Sequence, residues 1–180
     1  TLLDLGLKKR EFLKEKYREL GKDINPLLLI QLPNDDSSLV SLGEKTKEQV
    51  VVDYLEKVGV DPRRIARWFD NHAKPDFLEE NNDKHDVLIF KLAAGTGWDC
   101  PRAQVLVMFR NIKVEQRYIQ TIGRILRTPD PVNFRDYLPH PELRAGYLYT
   151  NYQRQDVIDN WSDQKADGSL SQEVHRRIPD

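Results

Sequence analysis

Four short apolar runs constrain this chain more than any other feature. They are Leu27-Leu28-Leu29-Ile30-Gln31-Leu32, Val87-Leu88-Ile89-Phe90-Lys91-Leu92, Ala103-Gln104-Val105-Leu106-Val107-Met108-Phe109 and Gly146-Tyr147-Leu148-Tyr149-Thr150. Each has strand length and is nearly continuous instead of alternating, so both faces of each strand must be covered. Ile65-Ala66-Arg67-Trp68-Phe69 adds a short further strand. Helical patterns fall between these runs. Residues 2–20 carry a leucine, phenylalanine and tyrosine stripe among lysines and glutamates, stopped by Gly21. Thr46-Lys47-Glu48-Gln49 is a capping box ahead of Val50, Val51, Tyr54, Leu55 and Val58, and Gly59 ends that helix. Strands alternating with helices predict an α/β fold with a largely parallel sheet and helices on both faces.

The layout follows. Residues 1–25 form a leading amphipathic helix, 26–152 the α/β domain, and 153–180 a polar tail that is helical around Val157-Ile158-Trp161. Pro33 to Ser38 reads as a turn after the first strand. Asp70 to Lys84 reads as a polar loop with at most one helical turn, anchored by Phe77-Leu78, and Arg135 to Arg144 as a proline-spaced loop. A hydrophobic share of 39% over 180 residues suffices for one core. The formal net charge is −1, so no global basic character announces a polyanion. The distribution says more. Between 91 and 127, Lys91, Arg102, Arg110, Lys113, Arg117, Arg124 and Arg127 face only Asp99 and Glu115, a local excess of five positive charges.

Cys100 is the single cysteine, so no disulfide closes within the chain, in keeping with a reducing, cytoplasmic setting. It reads as a small loop residue, not a nucleophile. The four histidines have no ligand spacing, no metal site is expected, and no apolar run approaches membrane-spanning length.

Two segments carry the chemistry. The strand at 87–92 leads into Ala93-Ala94-Gly95-Thr96-Gly97-Trp98-Asp99-Cys100-Pro101. Glycines there let a backbone approach a phosphate or ribose, and Asp99 can accept from a hydroxyl. The second segment spans Val114 to Arg127. At about 100° per residue, Val114, Tyr118, Ile119, Ile122, Ile125 and Leu126 share one arc, and Arg117, Gln120, Arg124 and Arg127 share another. The apolar arc docks the helix on the sheet. The cationic arc suits a polyphosphate, because guanidinium is always charged and donates in pairs. The plainer alternative is a solvated basic face. Thr128-Pro129-Asp130-Pro131 breaks the helix, which places Arg127 in its last turn.

Gly97-Trp98-Asp99-Cys100-Pro101 resembles motif V of superfamily-two helicases, and Gln120-x-x-Gly-Arg-x-x-Arg127 resembles motif VI. The Gly-Trp-Asp form, Lys91 and the Gln-Thr-x-Gly-Arg-x-Leu-Arg form look most like the helicase (restriction) subunit of type III restriction enzymes. The resemblance covers roughly residues 26–150. It implies a second RecA-like helicase C-terminal motor domain over 26–152, with the 1–25 helix as the connection between the two motor domains. Arg127 would be the arginine finger and Arg124 a second γ-phosphate contact, with Gln120, Gly97 and Asp99 completing the ATP side. Lys91 and Thr96, with Gln31 and Asn34 in the motif IV region, would meet nucleic acid. Lys91 stands where many relatives carry threonine, and Thr121 where many carry a further arginine. Trp98 either stacks on a base or, the favoured alternative, packs beneath its loop.

No Gly-x-x-x-x-Gly-Lys-Ser/Thr loop and no acidic magnesium box occurs, and no nuclease motif is recognisable. The resemblance therefore implies ATP and Mg2+ shared with a first RecA-like domain, DNA or alternatively RNA as the track, and a methyltransferase subunit as partner in a type III system. The remaining alternative is a non-catalytic nucleic-acid-binding or interaction module.

Overall fold

Strand β1 (Leu27–Gln31) stands at the centre of the sheet, and every residue in it is buried. The computed structural model describes residues 1–91, 98–109, 123–150 and 175–176. β3 (Val87–Phe90) and β4 (Ala103–Met108) flank β1 in parallel. β2 (Ile65–Trp68) lies outside β3, and β5 (Ala145–Thr150) outside β4, again in parallel. A short β6 (His175–Arg176) joins β5 antiparallel at Ala145 and Gly146, giving the order β2-β3-β1-β4-β5-β6. The expected α/β architecture with a largely parallel sheet is the one observed. The tail was expected to contribute helix; what is described of it is this added strand.

Side chains alternate between two cores. Leu28, Ile30, Val87, Ile89, Val105 and Val107 face the helical side, beneath α1 (Leu2–Glu19) and α3 (Lys47–Lys57). Leu13 and Leu55 of these helices are wholly buried, each contributing about 2 kcal/mol by leaving water. Gly6 sets the approach of α1: a Cβ there would stand 2.7 Å from Val107 Cγ2. The second side gathers Leu27, Leu29, Leu88, Phe90, Leu106 and Met108 under Leu78, Cys100 and Ile125.

The predicted capping box is present at Thr46, whose hydroxyl accepts from Gln49 N while Gln49 Oε1 accepts from Thr46 N. Several segments differ from expectation. A helical turn, α2 (Ser37–Ser41), forms in the stretch read as a turn, because Asp36 caps it by accepting from Ser38 N. Pro131–Tyr137 and Pro141–Arg144 are 3-10 turns instead of plain loop; each proline stands at the start, where its missing N–H costs nothing. Within 70–84, Leu78 alone is the anchor. Phe77 is 71% exposed at φ 64, a left-handed backbone that ends any helical turn there.

Below the sheet, buried arginines fasten the elements. Arg102 is fully buried; its Nε donates to Leu78 O, Nη1 to Asn25 O and His85 O, and Nη2 to Asp83 Oδ2. Arg10 of α1, 3% exposed, donates to Asn25 Oδ1 and Asp86 Oδ1, and Arg64 closes on the same carboxylate at 2.7 and 3.0 Å. Burial alone would raise the Asp86 pKa, but Arg64, Arg10 and Asn25 outweigh it and hold the carboxyl below its ordinary 3.8. A carboxylate depressed in the folded state stabilises above its unfolded pKa and ceases to do so as pH falls through the folded one. Asp86→Ala is expected to cost about 3 kcal/mol at neutral pH, since it removes the buried carboxylate that neutralises the Arg10 guanidinium. In urea titrations, the gap between wild type and variant should narrow once pH drops below 3.8.

Candidate functional site

Because β1 lies between β3 and β4, the chain leaving β3 must cross the sheet to begin β4. Residues 98–102 make the later part of that crossing on the second side, where Trp98 and Cys100 join its core. Trp98 packs edge-to-face on Trp68 at the end of β2, with ring centroids 5.4 Å apart and planes at 74°. Its Nε1–H donates to Glu79 Oε1 at 2.5 Å. Packing beneath the segment is thus the observed fate of this side chain. Cys100 is buried, which pushes its thiol up to about 11, so it is a packing residue without thiolate character at neutral pH.

The segment ending in Arg127 meets this crossing. Gly123 leads into a 3-10 turn, Arg124–Leu126, whose Ile125 is fully buried against the sheet. The turn lies almost on the backbone of β5: a Cβ on Gly146 would stand 2.4 Å from Ile125 O. Arg124 is partly buried, with Cζ 5.5 Å from the Trp98 ring centroid. Burial lowers its pKa from the ordinary guanidinium value. Arg127 was expected inside the last helical turn. It is the residue after it, with extended backbone at ψ 148, since Pro129 offers no N–H to carry a helix onward. Its side chain is 58% exposed, and Nε lies 3.8 Å from Asp99 Oδ1.

A second group sits at the carboxyl ends of β1 and β3. Lys91 Nζ donates to Asp35 Oδ2 at 2.7 Å and stands 5.7 Å from the Phe69 ring centroid. Asp35 Oδ1 accepts from Lys47 N, and Asn34 O from Lys47 Nζ. Burial opposes ionisation of Asp35, but Lys91 and Lys47 hold its pKa below the ordinary value. Gln31 was expected to reach nucleic acid. It is 2% exposed, its Nε2 donates to Lys91 O at 3.2 Å, and it supports the chain after β3 from below. Asn34 is exposed.

The structure therefore joins Asp99 with Arg127 and Trp98 with Arg124, and assembles Lys91, Asp35 and Gln31 apart from them. Gly97, Thr96 and Gln120 lie outside the described residues, as do Thr121 and Ile122. Arg102 does not belong to a basic face at all, being wholly internal. Glu79, Trp68 and Asp35 are partners that pattern reading did not single out.

Residues 29–129 match the sequence model of the family described as the helicase conserved C-terminal domain. A search among curated proteins finds no significant match.

Two glycine substitutions separate a rigid contact from a yielding one. Gly146→Ala drives a methyl into the Ile125 carbonyl, a backbone group, and is expected to cost about 1–3 kcal/mol. Gly6→Ala meets side-chain methyls and gains helix propensity of about 1 kcal/mol, so its net cost should be smaller. Thermal and urea midpoints of the two variants give the order directly.

Proposed function

The chain belongs to the family of helicase conserved C-terminal domains, and from that premise we propose that it is the second RecA-like half of an ATP-driven DNA translocase, in a system of the type III restriction kind. The observation that carries the reading is spatial. The segments resembling motif V and motif VI are far apart in sequence, yet Asp99 faces Arg127 and Trp98 faces Arg124.

ATP is the substrate, bound between this half and a first RecA-like domain bearing the phosphate loop. Arg127 meets the γ-phosphate as charge develops. Its pairing with Asp99 is long and open to solvent on both sides, and such a pair is worth at most about 1 kcal/mol. The guanidinium can therefore exchange that carboxylate for phosphate at little cost. An arginine in this role is worth roughly 10³–10⁵ in rate. Arg124, held on the Trp98 face, supplies the second contact. On this reading magnesium is ligated by the other half, since this sequence carries no acidic magnesium box. Lys91 contacts the nucleic-acid backbone once Asp35 releases it, with Asn34 exposed beside that path. A methyltransferase subunit is the further partner in such a system. RNA as the track is the second reading, since the description of the matched family names no nucleic acid.

The chain alone should turn over ATP far below the about 1 per second typical of enzymes; phosphate release from purified 1–180, with and without DNA, measures this. In a protein joining this chain to a phosphate-loop domain, Arg127→Ala should cut nucleic-acid-stimulated turnover by about three orders of magnitude with ATP binding retained. Arg124→Ala should cut it less, and should also lower the melting temperature, since it removes packing on Trp98. Near-normal turnover in Arg127→Ala would overturn the finger assignment. Affinity for DNA should fall steeply with salt, as backbone contacts release counterions, and Lys91→Ala should flatten that dependence in a filter-binding titration.

A further inference from the structure

We propose that Glu79 is a positioning residue for Arg124, acting through Trp98. Glu79 belongs to the 70–84 segment, outside both motif-like stretches, and its neighbour Leu78 is fully buried, which fixes the backbone beside it. One carboxylate oxygen, Oε1, accepts from Trp98 Nε1 at 2.5 Å and pairs with Lys74 Nζ at 2.6 Å. Burial works against its ionisation, but Lys74, its own backbone N–H and the indole N–H hold its pKa below the ordinary 4.5, so it is a carboxylate at neutral pH. Trp98 is thus pinned at its nitrogen by Glu79 and along its ring by Trp68. The ring in turn faces the Arg124 guanidinium, with Cζ 5.5 Å from the centroid.

The consequence is directional. The indole packs on Trp68 and on the edge of the second core, and the Glu79 hydrogen bond fixes its rotation at the nitrogen; without that bond the ring can turn. The guanidinium then loses the ring face that helps to orient it, while its charge and its attachment through Ile125 remain. Glu79 acts through the Trp98 ring, setting where Arg124 points. The inference rests on the role given to Arg124 above.

The test has a spectroscopic arm on purified 1–180 and a kinetic arm in the protein that joins it to the phosphate-loop domain. Glu79→Ala should lose the near-ultraviolet circular dichroism of the coupled Trp68 and Trp98 rings. Glu79→Gln should keep it, because a carboxamide oxygen still accepts from the indole even though the Lys74 ion pair is gone. In turnover, Glu79→Ala should lower kcat about tenfold with KM for ATP changed less than about twofold, and Glu79→Gln should recover most of the loss. If Glu79→Ala fails to fold, Trp98→Phe carries the test: it keeps an apolar ring but cannot donate to Glu79, and the same kcat loss is expected. Arg124→Ala runs beside these variants. If it lowers kcat while Glu79→Ala and Trp98→Phe do not, the relay is overturned and the arginine role stands. If Arg124→Ala itself turns over normally, the role of Arg124 has failed, and the relay with it. Equal loss in Glu79→Ala and Glu79→Gln would overturn the relay too, since the ion pair with Lys74 would then be what matters.

Discussion

A central strand that the chain must step over to join its two neighbours in the sheet governs this structure. β1 pairs with β3 on one side and β4 on the other, so the segment joining those two strands has to pass across the sheet. Its described part, residues 98–102, lies on the side opposite α1 and α3, and that side is where the turn bearing Arg124 also docks. Asp99 and Trp98 meet the two arginines because topology leaves both segments the same surface. The encounter is made close by Gly146, which has no side chain to keep the Ile125 backbone away from β5.

The crossing is tied down where it ends. Arg102, the last residue before β4, distributes its guanidinium over Leu78 O, Asn25 O, His85 O and Asp83. These acceptors come from the 70–84 segment, from the stretch after α1 and from the approach to β3. One buried cation therefore fixes the start of β4 relative to the loop that carries Glu79. Arg10 and Asp86 extend the same network to α1, which makes that helix part of the packed body of the domain. The Arg102 charge is tolerable at this depth because its Nε, Nη1 and Nη2 all find acceptors.

The strands were legible because burial on both faces leaves a mark that survives without structure: runs such as Leu27–Ile30 have no polar side. The cap at Thr46 was legible because its chemistry is local, three residues long. What escaped reading was mostly nonlocal or hidden by residue type. Glu79 sits in a polar loop and finds Trp98 nineteen residues on, a contact no periodicity encodes. Arg102 counted as surface charge, although its place at the head of an apolar run was a usable signal of burial. Gln31, inside another apolar run, carried the same signal. The 3-10 turns at 131–137 and 141–144 hid behind prolines, which punctuate loops and open helical turns alike.

The two arginines differ in a way that follows from their backbones. Arg124 lies in a 3-10 turn whose next residue, Ile125, is fully buried, so its side chain leaves the sheet beside the Trp98 ring. Arg127 follows the turn in extended backbone, and Pro129 prevents the chain from coiling back. Its guanidinium is more than half exposed, and among the described residues it meets an exposed carboxylate at long range. One cation is thus oriented before any anion arrives and the other remains able to move. Pre-orientation reduces the ordering needed when a phosphate is met. Freedom lets the second cation follow charge that moves during a reaction. In the proposed motor role, a pair divided this way would suit a phosphate that must first be held and then stabilised as it transfers, and the division originates in one proline and one buried isoleucine.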